Sequence, residues 1–169
     1  RNESKRVHVI LHVELSIVHF VALVQSINVS TGGIPKLPLP SCATTAIGLQ
    51  GDGREHSKHA TLDRAVSLFD IEIMRQLNTE GYNLVPGAIG ENITVEGLAV
   101  QELEDGDCLH FSGGVVIELT EARKPCFVLD PLGVTLKKDI VGRCGYLAKV
   151  RTEGTFTIGD TIVVTKAIH

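Results

Sequence analysis

Glycine interrupts this chain at short intervals, and the stretches between glycines are short and rich in Val and Ile. That pattern constrains the fold more than any other feature. Glycine supplies backbone conformations that side chains resist, so frequent glycine means frequent turns. Short β-branched runs between turns favour strands over helices. Trp is absent and aromatic residues make up 4% of the 169 residues, so the core must rest on Val, Ile and Leu. A chain of this length suits one domain and buries about two-thirds of its unfolded surface, without needing disulfide or metal staples.

Strands are expected at 21–29, 42–47, 64–69, 93–95, 108–111, 115–119, 146–151 and 161–164. The pair 108–111 and 115–119 reads as a hairpin across Ser112-Gly113-Gly114. One helix stands out. Asp70 is a good N-cap, Ile71, Met74 and Leu77 repeat at helical spacing, and Gly81 offers a stop. Many short strands with frequent turns predict a mostly-β barrel with a few short helices. Residues 21–169 would form this domain, with 1–20 as an N-terminal extension.

Charge and patterning bear on function. The net charge is −4, and no basic block or aromatic run resembles a nucleic-acid footprint. Residues 7–25 are apolar and follow Lys5 and Arg6, which imitates a signal peptide or a membrane span. His8, His12, Glu14 and His19 interrupt that stretch, and no small-residue cleavage site follows. The expectation is a buried strand or an added helix, and no membrane association. The four cysteines, Cys42, Cys108, Cys126 and Cys144, contain no C-x-x-C pair, so zinc ribbons and thioredoxin-like motifs find no support. A cytoplasmic protein with reduced thiols is expected.

Cys126 is the foremost candidate for chemistry. It follows Pro125 at the end of a strongly β-forming strand, with Arg123 and Lys124 just upstream. Positive charge favours the thiolate, which attacks electrophilic sulfur and ligates soft or redox metals. The local sequence leaves a second reading open, a small buried apolar thiol. His56 and His59 lie near Asp52, Arg54, Lys58 and Asp63. They could shuttle protons or bind metal, although H-x-x-H matches no strong zinc signature. Pro86-Gly87-Ala88-Ile89-Gly90-Glu91-Asn92 could offer backbone N–H groups to an anion. Gly106-Asp107 and Gly159-Asp160 read as turns, and Cys42, Cys108 and Cys144 as structural thiols.

In order along the chain, five blocks form a recognisable set. They are 28–36 (Asn-Val-Ser-Thr-Gly-Gly-Ile-Pro-Lys), 48–52 running on through Lys58-His59 to 63–66, and 86–94 with Gly97-Leu98. Lys124-Pro125-Cys126 is the fourth, and Gly142-Arg143-Cys144-Gly145-Tyr146, continuing to Gly159-Asp160, is the fifth. With these blocks the chain resembles the MOSC family, the domain at the C-terminus of molybdenum-cofactor sulfurases. The resemblance implies a β-barrel of the pyruvate-kinase barrel type and a pocket holding Cys126. It implies molybdenum cofactor binding or sulfur carriage on that cysteine, and in some stand-alone bacterial relatives the reduction of N-hydroxylated bases. On that basis Cys126 is the expected persulfide carrier or metal ligand, with His59 and Asp52 as proton or hydrogen-bond partners. Arg54, Lys58, Asp63, Arg64, Gly90, Asn92, Arg123, Lys124 and Arg143 are the expected cofactor contacts. Expected partners are the small-molecule cofactor or a sulfur donor, and a redox or sulfurase protein. Family members often carry His-Gly-Gly where this chain reads His59-Ala60-Thr61, which removes two freely turning residues. That departure supports an alternative, a non-catalytic barrel that binds or delivers cofactor for a partner enzyme. A third option is a metal-dependent hydrolase using His56, His59, Asp52 and Asp63.

Overall fold

The computed structural model describes residues 21–53 and 61–168. The expected extension at 1–20 lies outside the described residues, as do Arg54, His56, Lys58 and His59.

Strand β1 (Leu23–Val29) turns Val24 and Ile27 wholly into the core. It pairs antiparallel with β2 (Leu37–Leu39) on one side and β6 (Ile93–Glu96) on the other. Strand β5 (Val66–Asp70) runs parallel to β6, the one parallel pairing among the described strands, because helix α1 (Ile71–Thr79) lies on the connection between them. The expected hairpin forms from β7 (Cys108–Phe111) and β8 (Val116–Ala122). Strand β9 (Tyr146–Thr152) joins β8 to β5, and β11 (Ile162–Thr165) flanks β7. The resulting sheet has the order β11-β7-β8-β9-β5-β6-β1-β2. A second sheet combines β10 (Gly154–Thr157), β3 (Ser41–Thr45) and β4 (Gly48–Leu49).

The mostly-β fold with a few short helices is as expected, and its large sheet curls without closing into a continuously paired barrel. Leu23 forms a single bridge with Thr161, where β1 returns to the turn before β11. Val24 N–H donates to Asp160 O at 2.9 Å, and Ile162 N–H donates to Ala22 O at 2.8 Å. These contacts give the fold a barrel-like interior with one weakly laced seam.

The buried apolar residues form two clusters. The first, inside the curled sheet, includes Ile27, Leu68, Ile93, Leu109, Ile117 and Phe156. The second gathers Phe69, Met74, Leu77, Ile89, Leu129 and Cys144. Alternation along β5 divides them, with Leu68 facing one cluster and Phe69 the other. Helix α1 ends as expected, with Gly81 at φ 108° just beyond it. Its start differs from the expectation. Asp70 occupies the N-cap position but makes no capping hydrogen bond, and its carboxylate instead accepts the Val100 N–H at 3.1 and 3.3 Å. Among the described residues no helix is long and apolar enough to cross a membrane.

Candidate functional site

Asn92 ends the 86–92 loop and leads into β6. Its Oδ1 accepts from the Ser67 N–H at 3.2 Å and from Ser67 Oγ at 3.0 Å. Its Nδ2 donates to Asn28 O at 3.2 Å and to Asp52 Oδ2 at 2.9 Å. One buried amide thus ties together β1, β5, β6 and the 50–53 turn. The Asp52 carboxylate also accepts the Ser30 N–H at 3.0 Å and an ion pair from the Lys36 ammonium. Gly53 permits this approach, since a Cβ there would stand 1.7 Å from Thr31 O.

Lys36 lies largely buried beside Asp52. Burial pulls its pKa below the ordinary lysine range, the Asp52 hydrogen bond and charge oppose that, and the nearby Arg123 charge lowers it further. The backbone of Lys36 rests on the 86–92 loop, where its N–H donates to Gly87 O at 2.9 Å. Gly87, at φ 85°, is required there because a Cβ would meet Lys36 O at 2.2 Å.

The loop does not hold its amides open in the way its sequence suggests. Gly87 N–H donates to Glu91 Oε1 at 2.7 Å, Ala88 N–H to Val85 O at 2.9 Å, and Gly90 N–H to Gly87 O at 3.1 Å. An internal carboxylate fills the place expected for an external anion. Glu91 is fully buried, and Thr94 Oγ1 also donates to its Oε1, at 3.0 Å. Its Oε2 has no partner. Burial raises the Glu91 pKa, while the Gly87 N–H and the Arg123 charge pull the other way.

Arg123 closes this side of the site. Its backbone N–H donates to Gly145 O at 2.8 Å, which extends the β8–β9 pairing by one residue. Its Nη2 donates to Ile89 O, and its Nη1 is buried without a partner. Gly90, at φ 84°, lies against it, with a would-be Cβ 3.5 Å from Nη2. Three residues on, Cys126 is exposed at the start of a 3-10 turn spanning Phe127–Leu132. Cys144 is buried. Burial raises the Cys144 pKa, the Arg123 charge lowers it, and the Cys126 and Glu91 charges raise it further.

The fold therefore gathers Asp52, Gly90, Asn92 and Arg123 in one connected neighbourhood, with Cys126 on the segment leading out of it. Other expected contacts are occupied elsewhere. Arg64 pairs with Glu121 at 2.6 Å, and Asp63 lines a shallow groove with Asp105, Glu118 and Lys149. The Arg143 guanidinium forms a fork with Glu80 at 2.7 and 2.6 Å, and its Nε donates to Asp139 O at 3.0 Å. Lys124 is exposed. Sequence reasoning did not single out Lys36, Ser67 or Glu91 for the site, and it set Cys144 aside as structural. Lys36 closes the first sequence block, but no spacing rule joins it to Asp52. Among the described residues no group of three or more His, Cys, Asp and Glu stands together to hold a metal ion.

The pattern of the MOSC domain matches residues 55–163. A reductase of Gibberella moniliformis is 30% identical over 128 residues, covering 70% of this chain and 22% of the reductase. The YiiM protein of Escherichia coli is 28% identical over 119 residues, covering 65% of this chain and 53% of that protein. The chain thus spans about a fifth and about half of the length of these two relatives. Among solved structures, YuaD of Bacillus subtilis superposes with a TM-score of 0.74 at 18% identity, covering 88% of this chain and 97% of its own. YiiM of Geobacillus stearothermophilus superposes with a TM-score of 0.68 at 26% identity, covering 86% of this chain and 75% of its own. The matched segment includes most of the sheet, Asn92, Arg123 and Cys126, and the chain belongs to the MOSC domain family.

Proposed function

We propose that this MOSC protein binds the molybdenum cofactor, with Cys126 as the thiolate ligand, and uses it in the reduction of N-hydroxylated compounds. The observation that carries this reading is the placement of an exposed thiol three residues beyond an arginine whose Nη1 is buried and unpartnered. A soft thiolate suits molybdenum, and fixed cationic donors suit an anionic pterin phosphate. The residues present fit the group. Cys126 would hold the metal. Arg123, with the Lys36 charge close by, would face the anionic end. When bound, the cofactor would supply two-electron redox chemistry.

The chain's own residues have separate tasks. Asp52 neutralises Lys36 and fixes its ammonium, so one of the two cations is partly spent inside the protein. Arg123 keeps one nitrogen free of protein partners while Ile89 O anchors the other. Asn92 holds Asp52 in place. His59, Arg54 and Lys58 remain proposed contributors from the segment beside Asp52.

Expression with a molybdenum-cofactor supply, wild type beside Cys126→Ala, tests the assignment. Molybdenum and pterin in the wild type, with molybdenum lost in the variant, is the expected result. Equal molybdenum in both proteins would sink it. A second reading, a module that binds or delivers cofactor for a larger enzyme, draws support from the reductase match, where this chain corresponds to 22% of the longer protein. Cofactor bound without turnover of an N-hydroxylated amidine would favour that module. A wild-type mass gain of one sulfur, absent in Cys126→Ala, would instead indicate sulfur carriage.

A further inference from the structure

Arg123 owes its orientation to a turn from another part of the chain. Its backbone N–H is held by Gly145 O, its Nη2 donates to Ile89 O, and its buried Nη1 has no partner. A guanidinium is planar and rigid, so the anchor on Nη2 decides where Nη1 points. Ile89 O cannot turn alone. It shares a planar peptide with the Gly90 N–H, which points the opposite way and donates to Gly87 O at 3.1 Å. Gly87 lies at φ 85° and Gly90 at φ 84°, and glycine backbone rotates more freely than that of any other residue. Burial of Ala88 and Ile89 keeps the turn in place, but the tilt of its peptide planes needs hydrogen bonds. The Lys36 N–H steadies Gly87 O at 2.9 Å. Glu91 steadies the other side of the same residue, where its Oε1 accepts the Gly87 N–H at 2.7 Å. That oxygen is itself fixed, because Thr94 Oγ1 donates to it at 3.0 Å and accepts from Asn28 Nδ2 at 3.2 Å. A line of hydrogen bonds thus runs from β1 and β6 through Glu91, Gly87, the 89–90 peptide and Ile89 O to Arg123.

We propose that Glu91 is a positioning residue for Arg123. Its side chain fixes Gly87, the turn carries that constraint to Ile89 O, and Ile89 O aims the free Nη1 toward the anion. The role builds on Arg123 as the anion contact of the proposed function. It depends on reach and an acceptor oxygen, not on charge. Glu91→Gln keeps both. Glu91→Leu keeps the bulk and loses the acceptor. Glu91→Asp keeps the carboxylate but shortens the side chain by one bond, about 1.5 Å, which takes its oxygens beyond hydrogen-bonding distance of the Gly87 N–H.

The test uses the full chain without cofactor and has two readouts. One is nitrogen-15 NMR of the Arg123 guanidinium, assigned by its disappearance in Arg123→Lys. The other is calorimetric affinity for inorganic phosphate. Wild type and Glu91→Gln should show separate Nη signals, the mark of a guanidinium held against rotation, and should bind phosphate within about threefold of each other. In Glu91→Leu the Nη signals should merge, and phosphate should bind about tenfold more weakly, as for one misdirected hydrogen bond to a charged group. Should Glu91→Leu fail to fold, Glu91→Asp must show the same merging and the same loss. The proposal is overturned if the Nη signals stay separate in the folded Leu or Asp variant, if they merge in Glu91→Gln, or if phosphate binds the Leu or Asp variant as tightly as wild type. A wild type with separate Nη signals that ignores phosphate would instead remove Arg123 as an anion contact, and the NMR comparison would still decide the role of Glu91.

Discussion

Asn92 joins four parts of the chain through a single amide, and its contribution belongs to the residue scale. Replacing it with Ala leaves the Ser67 N–H, the Asn28 carbonyl and one side of Asp52 without their present partner. Each buried group so stranded costs about 1–3 kcal/mol, so Asn92→Ala is expected to lower stability by about 3 kcal/mol, read as a drop in the urea midpoint at constant slope. A loss under about 1 kcal/mol would show that water replaces the amide. Asp52, Asn92, Arg123 and Cys126 were legible in the sequence because each stands in a block with turn or charge character of its own. Glu91 was not legible as an internal ligand. Only the folded loop shows its carboxylate turning back onto Gly87 N–H, where an external anion was expected.

At the scale of elements, the junction of β5 and α1 carries a buried acid. Asp70 has its pKa raised from 3.8 to about 7, first by burial, against the opposing Val100 hydrogen bond. The folded chain therefore holds this proton more tightly than the unfolded chain does. The stability it contributes is complete below pH 3.8 and is lost as pH rises through about 7. Wild type should lose stability relative to Asp70→Asn between those limits, and thermal unfolding of both proteins across this range checks it. Parallel curves would show that Asp70 does not titrate there. The helix was legible from Ile71, Met74 and Leu77, and its acid was legible as a cap. That the acid serves Val100 instead depends on a distant segment, which no local signal announces. The strands with strong apolar runs were equally legible. Strand β2, with Pro38 at its centre, and β10 were not, because each becomes a strand only by finding a partner.

For the whole molecule, an aromatic contact helps join the two sheets. Phe156 of β10 is fully buried, and its ring meets Phe111 of β7 edge-to-face at 4.8 Å and 89°. Phe156→Ala is expected to cost about 4 kcal/mol, from lost burial and the cavity left behind. Chemical denaturation should show it, whereas a loss below about 2 kcal/mol would mean that the three-stranded sheet collapses into the space. The order of turns, β-branched runs and helical spacing by itself determined the strand-rich class and the principal helix, whereas the exposure of Cys126 came from the fold. The class and the helix are local properties, set by backbone freedom and side-chain shape within a few residues. Tertiary structure alone decided that the sheet curls with a single bridge at its seam, that Lys36 pairs with Asp52, and that Arg143 is taken up by Glu80. Such pairings join residues far apart in the chain, and their energies exist only once burial and register have brought the partners together.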